Sequence, residues 1–453
     1  MASANKSIET RGTAMRTVLQ DQDIREPELP ASVQEALGEL VCDAKAGLLA
    51  LSVGVGLGVL CELMELEVCE LVGPKGKHDP DRVAVRHGHE NGEVTIGGRR
   101  VATRRPRART VDGHELELLT YAHFASRDPL SGVILEQLLA RVSTRRFRRT
   151  REPVGEGVSD GERSVSKSAV SRAFVSRTRD QLRALMCRDL SDVRICVLMI
   201  DGIDLKGRTN VVALGITTEG DKLALGLWEG STENATVAQS LLSDLVDRGL
   251  DTQQGVLVVI DGAKALRKAV RTVLGEHTPV QRCIRHKERN VLEHLPEEDR
   301  DPVRRRLRAA WAMKTHSVAL RKLRVLADEL AHTHPGASSS LREGLEETIT
   351  AIRLGARGDL RHTLMSTNPC ESMIECIRRT SGNVKRWQNG DMALRWTAAG
   401  MLEAERAFRR IQGHADLAEL AIEVERQVTR DITTDQPPVT STAAKETATL
   451  ATA

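Results

Sequence analysis

The 453-residue chain has room for two to four domains. Its 66 Lys and Arg stand against 63 Asp and Glu, so partner class has to be read from where charges cluster rather than from their sum. Eight cysteines lack a disulfide-like spacing, and no apolar run long enough to cross a bilayer is free of charge: residues 53–66 come closest and are interrupted by Glu62 and Glu65. With no apolar signal-like stretch near the start, these features exclude a disulfide scaffold and a membrane-spanning protein, and the chain reads as reduced and cytoplasmic.

Residues 1–30 are polar and are expected to be mobile. Over 31–72 the pattern is helical. Val33, Leu37, Leu40 and Val41 share one face, and a second helix is expected over 44–71, Gly-rich in its first half; a packing or dimerising pair is the simplest role. Residues 73–92 read as a polar linker, and His87 and His89, without a nearby Cys, as surface residues. The stretch EVTIGGRRVATRRPRARTVDGHELELL then alternates between turn signals at Gly97–Gly98 and Asp112–Gly113. Arg99, Arg100, Arg104, Arg105, Arg107 and Arg109 crowd this small β unit with no acid among them. A charge run is ordinarily a solvated face, but this density favours phosphate contact, with Arg104, Arg105 and Arg107 as the leading candidates.

A short amphipathic helix is expected over 128–139. Further on, SVSKSAVSRAFVSRTRDQLRAL places Val165, Ala169, Val170, Ala173 and Phe174 on one side and Lys167, Ser168 and Arg172 on the other. It resembles the second helix of a helix-turn-helix, with 143–150 as the first helix and an unusually long turn over 155–162. The plain alternative is an ordinary surface helix.

The centre of the chain is 195–262. It opens ICVLMIDGIDLK and closes VLVVIDG: twice an apolar, β-branched run ends in Asp-Gly, at Asp201 and at Asp261. Such runs read as strands buried on both faces, and an Asp at their ends sits at the rim where α/β sheets bind ligands. Between them, NVVALGIT and KLALGLW read as strands joined at Glu219–Gly220, and 231–249 as a helix capped by Ser231 or Thr232, with Leu241, Leu242, Leu245 and Val246 on one face. After Asp261 come the amphipathic helix AKALRKAVRTVLG and the short strand TPVQRC. Three strands, helix, strand, helix is the order of a ribonuclease-H-like α/β core, which would put Asp201 and Asp261 on neighbouring strands. Helices are then expected over 291–295, 302–313, 318–332 and 341–354, an all-α insertion ending at Met365. Pro369 fits the first turn of a further helix capped by Thr367 or Asn368, with Glu371 in that turn and Glu375 one turn on. A last helix is expected over 413–430, followed by a Thr/Ala-rich tail over 433–453 expected to be disordered.

One strand-end Asp is usually structural. Two of them in this strand order, with a helix Glu, favour chemistry: three carboxylates suit Mg²⁺, with Mn²⁺ as substitute, and two such ions promote in-line phosphoryl displacement. Asp204 and Glu375 are the second choices beside Asp201 and Glu371. Tyr121, the only tyrosine, has no activating cluster near it, and no serine nucleophile is recognisable. Trp228 is read as core packing rather than a base-stacking platform.

From residues 99 to 410 the chain resembles the Mutator-type transposases of bacterial insertion sequences, which are DDE recombinases. The resemblance rests on DGIDLKGRTNVVALGITTEGDKLALGLWEGSTEN, VVIDGAKAL, VQRCIRHKERNVLEHLP and STNPCESMIECIRR. It implies an acidic triad of Asp201, Asp261 and Glu371 and matches the family's Cys-x-x-His pair to Cys283 and His286. That pair alone is half of a zinc site, so a packing or DNA-positioning role is expected of it. Arg285, Lys287, Arg289 and Arg378 are candidates for phosphate contact, with a plain surface role equally open for each. The implied organisation is an N-terminal tail and helical segment (1–80), a mainly α DNA-binding region (81–190), a ribonuclease-H-like core (191–283 and 366–412) split by an all-α insertion (284–365), and a C-terminal helix and tail (413–453). The implied function is metal-dependent cleavage and 3′-hydroxyl strand transfer on double-stranded DNA, both terminal inverted repeats and target, by a nucleoid-associated homodimer or higher oligomer. A nuclease of the same fold and a catalytically inactive, transposase-derived DNA-binding protein are the alternatives.

Overall fold

A computed structural model describes residues 49–76, 83–97, 99–128, 135, 139, 163–164, 167–230 and 235–435. Several expectations lie outside them: the helix at 31–43, the first helix and long turn of the helix-turn-helix, the cap at Ser231 or Thr232, and nearly all of the C-terminal tail. Of the expected helix at 128–139, Asp128, Leu135 and Leu139 are described: Asp128 is not helical, and both leucines are helical and buried. The chain divides into two compact units, residues 1–183 with 380–385, and the remainder.

In the first unit, helix α1 (Leu49–Val72) packs Val68 and Val72 against Ala84, Ala108 and Leu118. Strands β1 (Ala84–Ile96) and β2 (Arg99–Thr110) form an antiparallel hairpin whose last register pair is Ile96 with Arg99, and Gly97 lies in a turn. The expected linker at 73–92 is therefore corrected: from Ala84 onward it is strand, because its backbone pairs in register with β2 although most of its side chains stay exposed. Short β3 (Glu115–Leu116) follows the Asp112–Gly113 turn, and β4 (Arg163–Ser164) also pairs with β2. Helix α2 (Leu119–Ser126) begins on the Glu67 carboxylate of α1, which accepts the N–H groups of Leu119 and Thr120 at 2.6 and 3.1 Å. A carboxylate there satisfies orphan donors and complements the helix dipole. Helix α3 (Lys167–Met186) is the last element.

The second unit is built on a mixed five-stranded sheet. Strands β5 (Ile195–Asp204), β6 (Thr209–Thr217) and β7 (Lys222–Gly230) form an antiparallel meander. Beyond β5, β8 (Leu257–Ile260) and β9 (Val280–Arg282) join in parallel, giving the order β7-β6-β5-β8-β9. Nearly every residue of the central strands is buried, which is why they read as unbroken apolar runs rather than alternating ones. Helices α4 (Ala235–Asp247) and α5 (Lys264–Leu274) lie on one face: Leu241, Leu242, Leu245, Leu266 and Val270 share a core cluster with Leu198, Ile200, Val258 and Ile260. Trp228 packs against this cluster.

The helical segment runs through α6 (Ile284–Leu292), α7 (Glu297–Trp311), α8 (His316–Thr333), α9 (Pro335–Arg342), a 3₁₀ turn (Glu346–Ile349), α10 (Thr350–Arg353) and α11 (Gly358–Leu364). The single helix expected over 341–354 is broken instead at Gly344, whose φ of 61° is left-handed. Its far end returns to β9. The buried Gln281 side chain donates to the Thr348 carbonyl at 2.9 Å and accepts from the Ala351 N–H at 2.8 Å. Helix α12 (Asn368–Thr380) then carries Glu371. Helix α13 (Gly390–Arg406), capped by Asn389, sends Glu405 to Arg188 at 2.7 Å, and α14 (Leu417–Asp435) closes the described chain.

Helix α4 ends in a Schellman motif: the N–H of Leu250 donates to the Leu245 carbonyl at 3.0 Å and that of Gly249 to Val246 at 2.9 Å. Gly249 has φ of 98°, and a Cβ there would meet the Ser191 backbone nitrogen at 2.7 Å. Gly249→Ala is expected to destabilise the unit by on the order of 1–3 kcal/mol, read as a lower denaturation midpoint at unchanged slope.

Candidate active site

Ile200 and Ile260 are register partners on adjacent parallel strands, and the next residue on each is an Asp. Asp201 and Asp261 therefore leave the same end of neighbouring strands, whose spacing is about 4.8 Å. Asp201 is only 8% exposed, and its Oδ1 accepts the Gly202 N–H at 2.8 Å. Asp261 is half-buried and accepts the Ala263 N–H at 2.8 Å, turning the chain into α5. Gly262, at φ of 105°, is what lets the backbone leave the strand so abruptly.

Glu371 lies in the first turn of α12. Its Oε1 accepts a 2.8 Å hydrogen bond from Oγ1 of the fully buried Thr367, and its N–H donates to the Thr367 carbonyl at 2.8 Å. From sequence Thr367 reads only as a cap; its hold on the Glu371 carboxylate is a local contact spanning one helical turn. The approach to α12 is fixed from the turn after β9. The Cys283 N–H donates to the Ile260 carbonyl at 2.8 Å, and the Ile284 N–H to the Met365 carbonyl at 2.9 Å. Two consecutive peptide groups thus tie the strand of Asp261 to the segment leading into Glu371.

Cys283 is the N-cap of α6 and His286 lies in its first turn, on the same side. His286 Nδ1 is buried, makes no hydrogen bond of good geometry, and lies 4.0 Å from Glu371 Oε1. The ligand atoms of Cys283, His286 and Glu371 all fall within 4.8 Å of one another. Glu371, distant in sequence, is folded onto the Cys-x-x-His pair.

Burial, with added repulsion from Asp261 and Glu371, pushes the Asp201 carboxyl from 3.8 up to about 6, although the Gly202 N–H and His286 oppose this. The Cys283 sulfur, followed by the Asp201 and Asp261 charges, raises His286 to about 9 against the opposing effect of its burial. Burial pushes the Cys283 thiol up, but His286 more than offsets it and leaves the thiol below its usual value. The site is a pocket of acidic groups with one imidazolium beside them.

The second-choice acids fall elsewhere. Asp204 is exposed and accepts the Gly207 N–H at 3.3 Å within the β5–β6 turn, and Glu375 is exposed one turn beyond Glu371. Arg285, Arg289 and Arg378 are exposed, Arg289 within 3.9 Å of Glu293. Lys287 is not available to phosphate. It is 3% exposed and donates to the Ser340 and Glu343 carbonyls at 2.7 Å each, and burial lowers its pKa to about 8. Arg282, missed from sequence, is 2% exposed and bonded to Glu347 at 2.6 Å. A charge inside the short buried strand VQRC was its signal.

The arginines of the β unit are less free than their sequence suggests. Arg105 pairs with Glu90 at 2.6 Å and lies 4.9 Å over the Tyr121 ring, Arg107 binds Glu115 through both carboxylate oxygens, Arg109 reaches Glu115 at 3.5 Å, and Arg100 reaches Glu93 at 3.4 Å. Arg104 is exposed opposite Asn91. On α3, Lys167 and Ser168 open the helix, Arg172 is exposed, and Phe174 is buried.

Two strand-end carboxylates thus emerge side by side, one nearly enclosed, and a third, held by its own threonine, lies near enough to act on Asp201 electrostatically. The sequence model of the Mutator family of transposases matches residues 42–410, and the chain belongs to that family. It is 27% identical over 368 residues to the transposase for insertion sequence element ISRM5 of Rhizobium meliloti (strain 1021), covering 80% of this chain and 89% of that one. It is 25% identical over 360 residues to the transposase for IS256 in transposon Tn4001 of Staphylococcus aureus, covering 76% and 87%. With the transposase for IS6120 of Mycolicibacterium smegmatis it shares 29% over 220 residues.

The Asp201 shift has a consequence for stability. With its folded pKa raised, the native state binds more protons than the unfolded state between the two values, so stability falls as pH rises from 3.8 to about 6 and stays lower above. In metal-free protein, Asp201→Asn is expected to exceed the parent in stability near neutral pH by on the order of 2–3 kcal/mol. The difference should shrink towards about pH 4, as read by denaturant titrations across pH.

Proposed function

We propose that this chain is a DDE transposase of an insertion sequence, with a ribonuclease-H-like catalytic core that cleaves DNA at the element's ends and joins the 3′-hydroxyl to target DNA. The observation that carries the reading is the emergence of Asp201 and Asp261 side by side from adjacent parallel strands, with Glu371 close enough to repel Asp201. The β7-β6-β5-β8-β9 order, antiparallel on one side of β5 and parallel on the other, supports the fold assignment. The relatives' names support the insertion-sequence context.

The acidic set fits hard cations. Its donors are carboxylate oxygens, and the Asp201 carboxyl, raised chiefly by burial and further by Asp261 and Glu371, is one whose ionised form a cation would favour. Held by Asp201, Asp261 and Glu371, Mg²⁺ or Mn²⁺ would supply activation of a water or 3′-hydroxyl and neutralise charge developing on the phosphate. The protein's own part is positioning. Gly202 and Ala263 N–H groups orient the two Asp, and Thr367 orients Glu371. The Cys283–Ile284 backbone ties keep strand and helix in register, and a displacement of about 1 Å at such a site costs on the order of a hundredfold in rate. DNA ends would be gripped by the first unit, through Arg104 on β2 and the exposed side of α3 at Arg172, with the chain acting as a dimer or larger assembly on DNA.

Asp201→Asn, Asp261→Asn and Glu371→Gln are each expected to abolish Mg²⁺-supported cleavage and strand transfer on a terminal-repeat duplex while leaving binding to it intact, and Glu375→Gln should stay active. Loss in Glu375→Gln with activity in Glu371→Gln would reverse the choice of glutamate. For binding, Arg104→Ala should weaken affinity for terminal and random DNA alike and reduce the salt slope by about one. Arg107→Ala, which frees Glu115 as it removes a cation already neutralised, should change that slope little.

A further inference from the structure

The geometry points to a second, softer cation site in which Cys283 Sγ, His286 Nδ1 and the Glu371 carboxylate bind a zinc-like divalent ion and draw Glu371 away from the two aspartates. Thiolate and imidazole prefer Zn²⁺ or Co²⁺ to Mg²⁺, so this donor set selects a different metal from the carboxylates. Tetrahedral zinc, with bonds of roughly 2.0–2.3 Å, places its ligand atoms roughly 3.3–3.6 Å apart. The three atoms here already lie within 4.8 Å of one another, His286 Nδ1 and Glu371 Oε1 at 4.0 Å. Closing on an ion requires movements of about half an ångström to one ångström, within reach of a side-chain adjustment.

Two further observations point to a ligand rather than to incidental proximity. His286 Nδ1 is buried and makes no hydrogen bond of good geometry, although it faces the Cys283 sulfur and, at 4.0 Å, the Glu371 carboxylate. The donors are also held from behind: the Cys283 N–H is bound to Ile260, and Glu371 receives the Thr367 hydroxyl. Such supporting hydrogen bonds fix ligand direction at metal sites. With three protein ligands and Glu371 half-exposed, a fourth position stays open. The ion would exchange freely rather than hold the fold together, unlike a closed four-ligand zinc site.

Glu371 then belongs to two competing sets: with Asp201 and Asp261 it serves hard cations, with Cys283 and His286 a soft one. Occupancy of the second set would withdraw the third carboxylate of the first and switch cleavage off. That consequence rests on the transposase reading; the binding site itself does not.

The test uses full-length protein in metal-free buffer, without DNA, titrated with Co²⁺ alone. A near-ultraviolet thiolate-to-cobalt charge-transfer band should saturate at about one equivalent per chain and be displaced by Zn²⁺. It should be absent in Cys283→Ser and in His286→Asn, the latter at a less buried position and so less of a risk to the fold. Glu371→Gln should keep the band but weaken Co²⁺ binding about tenfold or more. No saturable band in the parent, or a band that survives both Cys283→Ser and His286→Asn, overturns the site, and unchanged affinity in Glu371→Gln overturns the shared carboxylate. A second measurement adds Zn²⁺ to the Mg²⁺-supported cleavage reaction, where reversible inhibition relieved by a chelator is expected and indifference to Zn²⁺ refutes the switch. If the cobalt band behaves as expected but no cleavage is found with Mg²⁺, the transposase reading fails and the metal site stands.

Discussion

Carboxylates repel one another, and a protein that gathers several of them must hold them by something other than their own attraction. Here the restraint is backbone hydrogen bonding. Parallel pairing of β5 with β8 sets Asp201 beside Asp261, and the peptide groups of Cys283 and Ile284 join the end of β8 to the residue that precedes the α12 approach. Burial and the neighbouring carboxylates together surface as the elevated Asp201 pKa, which the Gly202 N–H and His286 oppose. Rigidity of the surrounding sheet, buried on both faces, is what keeps like charges from moving apart.

The first unit solves the opposite problem. A strand carrying many arginines would repel itself, and the hairpin register answers with Glu90, Glu93 and Glu115 opposite or beside them. Exposed pairs of this kind contribute little to stability. Their larger effect is on which cations remain available: Arg104, facing Asn91, keeps its charge uncompensated by the ladder, whereas Arg107 is engaged on both its oxygen-facing nitrogens. A basic sequence has become a patterned surface.

The central strands were legible because burial on both faces leaves a continuous apolar run, and Asp-Gly marks where such a run must stop and turn. The helix bearing Glu371 was legible through Pro369, which suits a first turn. What sequence could not show was whatever depends on partners distant in the chain. Glu90 and Glu115 flank the arginine run, but only the strand register decides which Arg each one meets. Lys287 lies on a helix rich in charge and reads as solvent-facing. Its burial depends on two carbonyls freed where the chain breaks at Gly344. The apposition of Glu371 to Cys283 and His286 likewise exists only once the helical segment has returned.

That return has an evolutionary corollary. The segment from α6 to α11 leaves the sheet at Ile284 and comes back at Met365, and those two residues are joined by one hydrogen bond. Its entrance and exit therefore lie side by side at one end of the sheet, and a second anchor joins the segment to β9 where Gln281 bonds Thr348 and Ala351. Helices α7 and α8, which carry neither His286 nor the bonds to Gln281, can lengthen, shorten or be exchanged without moving the carboxylates on either side, whereas α6 and the stretch from Glu346 to Arg353 are tied to the site and to β9. Entropy of closing a longer loop grows only slowly with its length. The fold thus permits this portion of the molecule to diversify while the chemistry stays fixed.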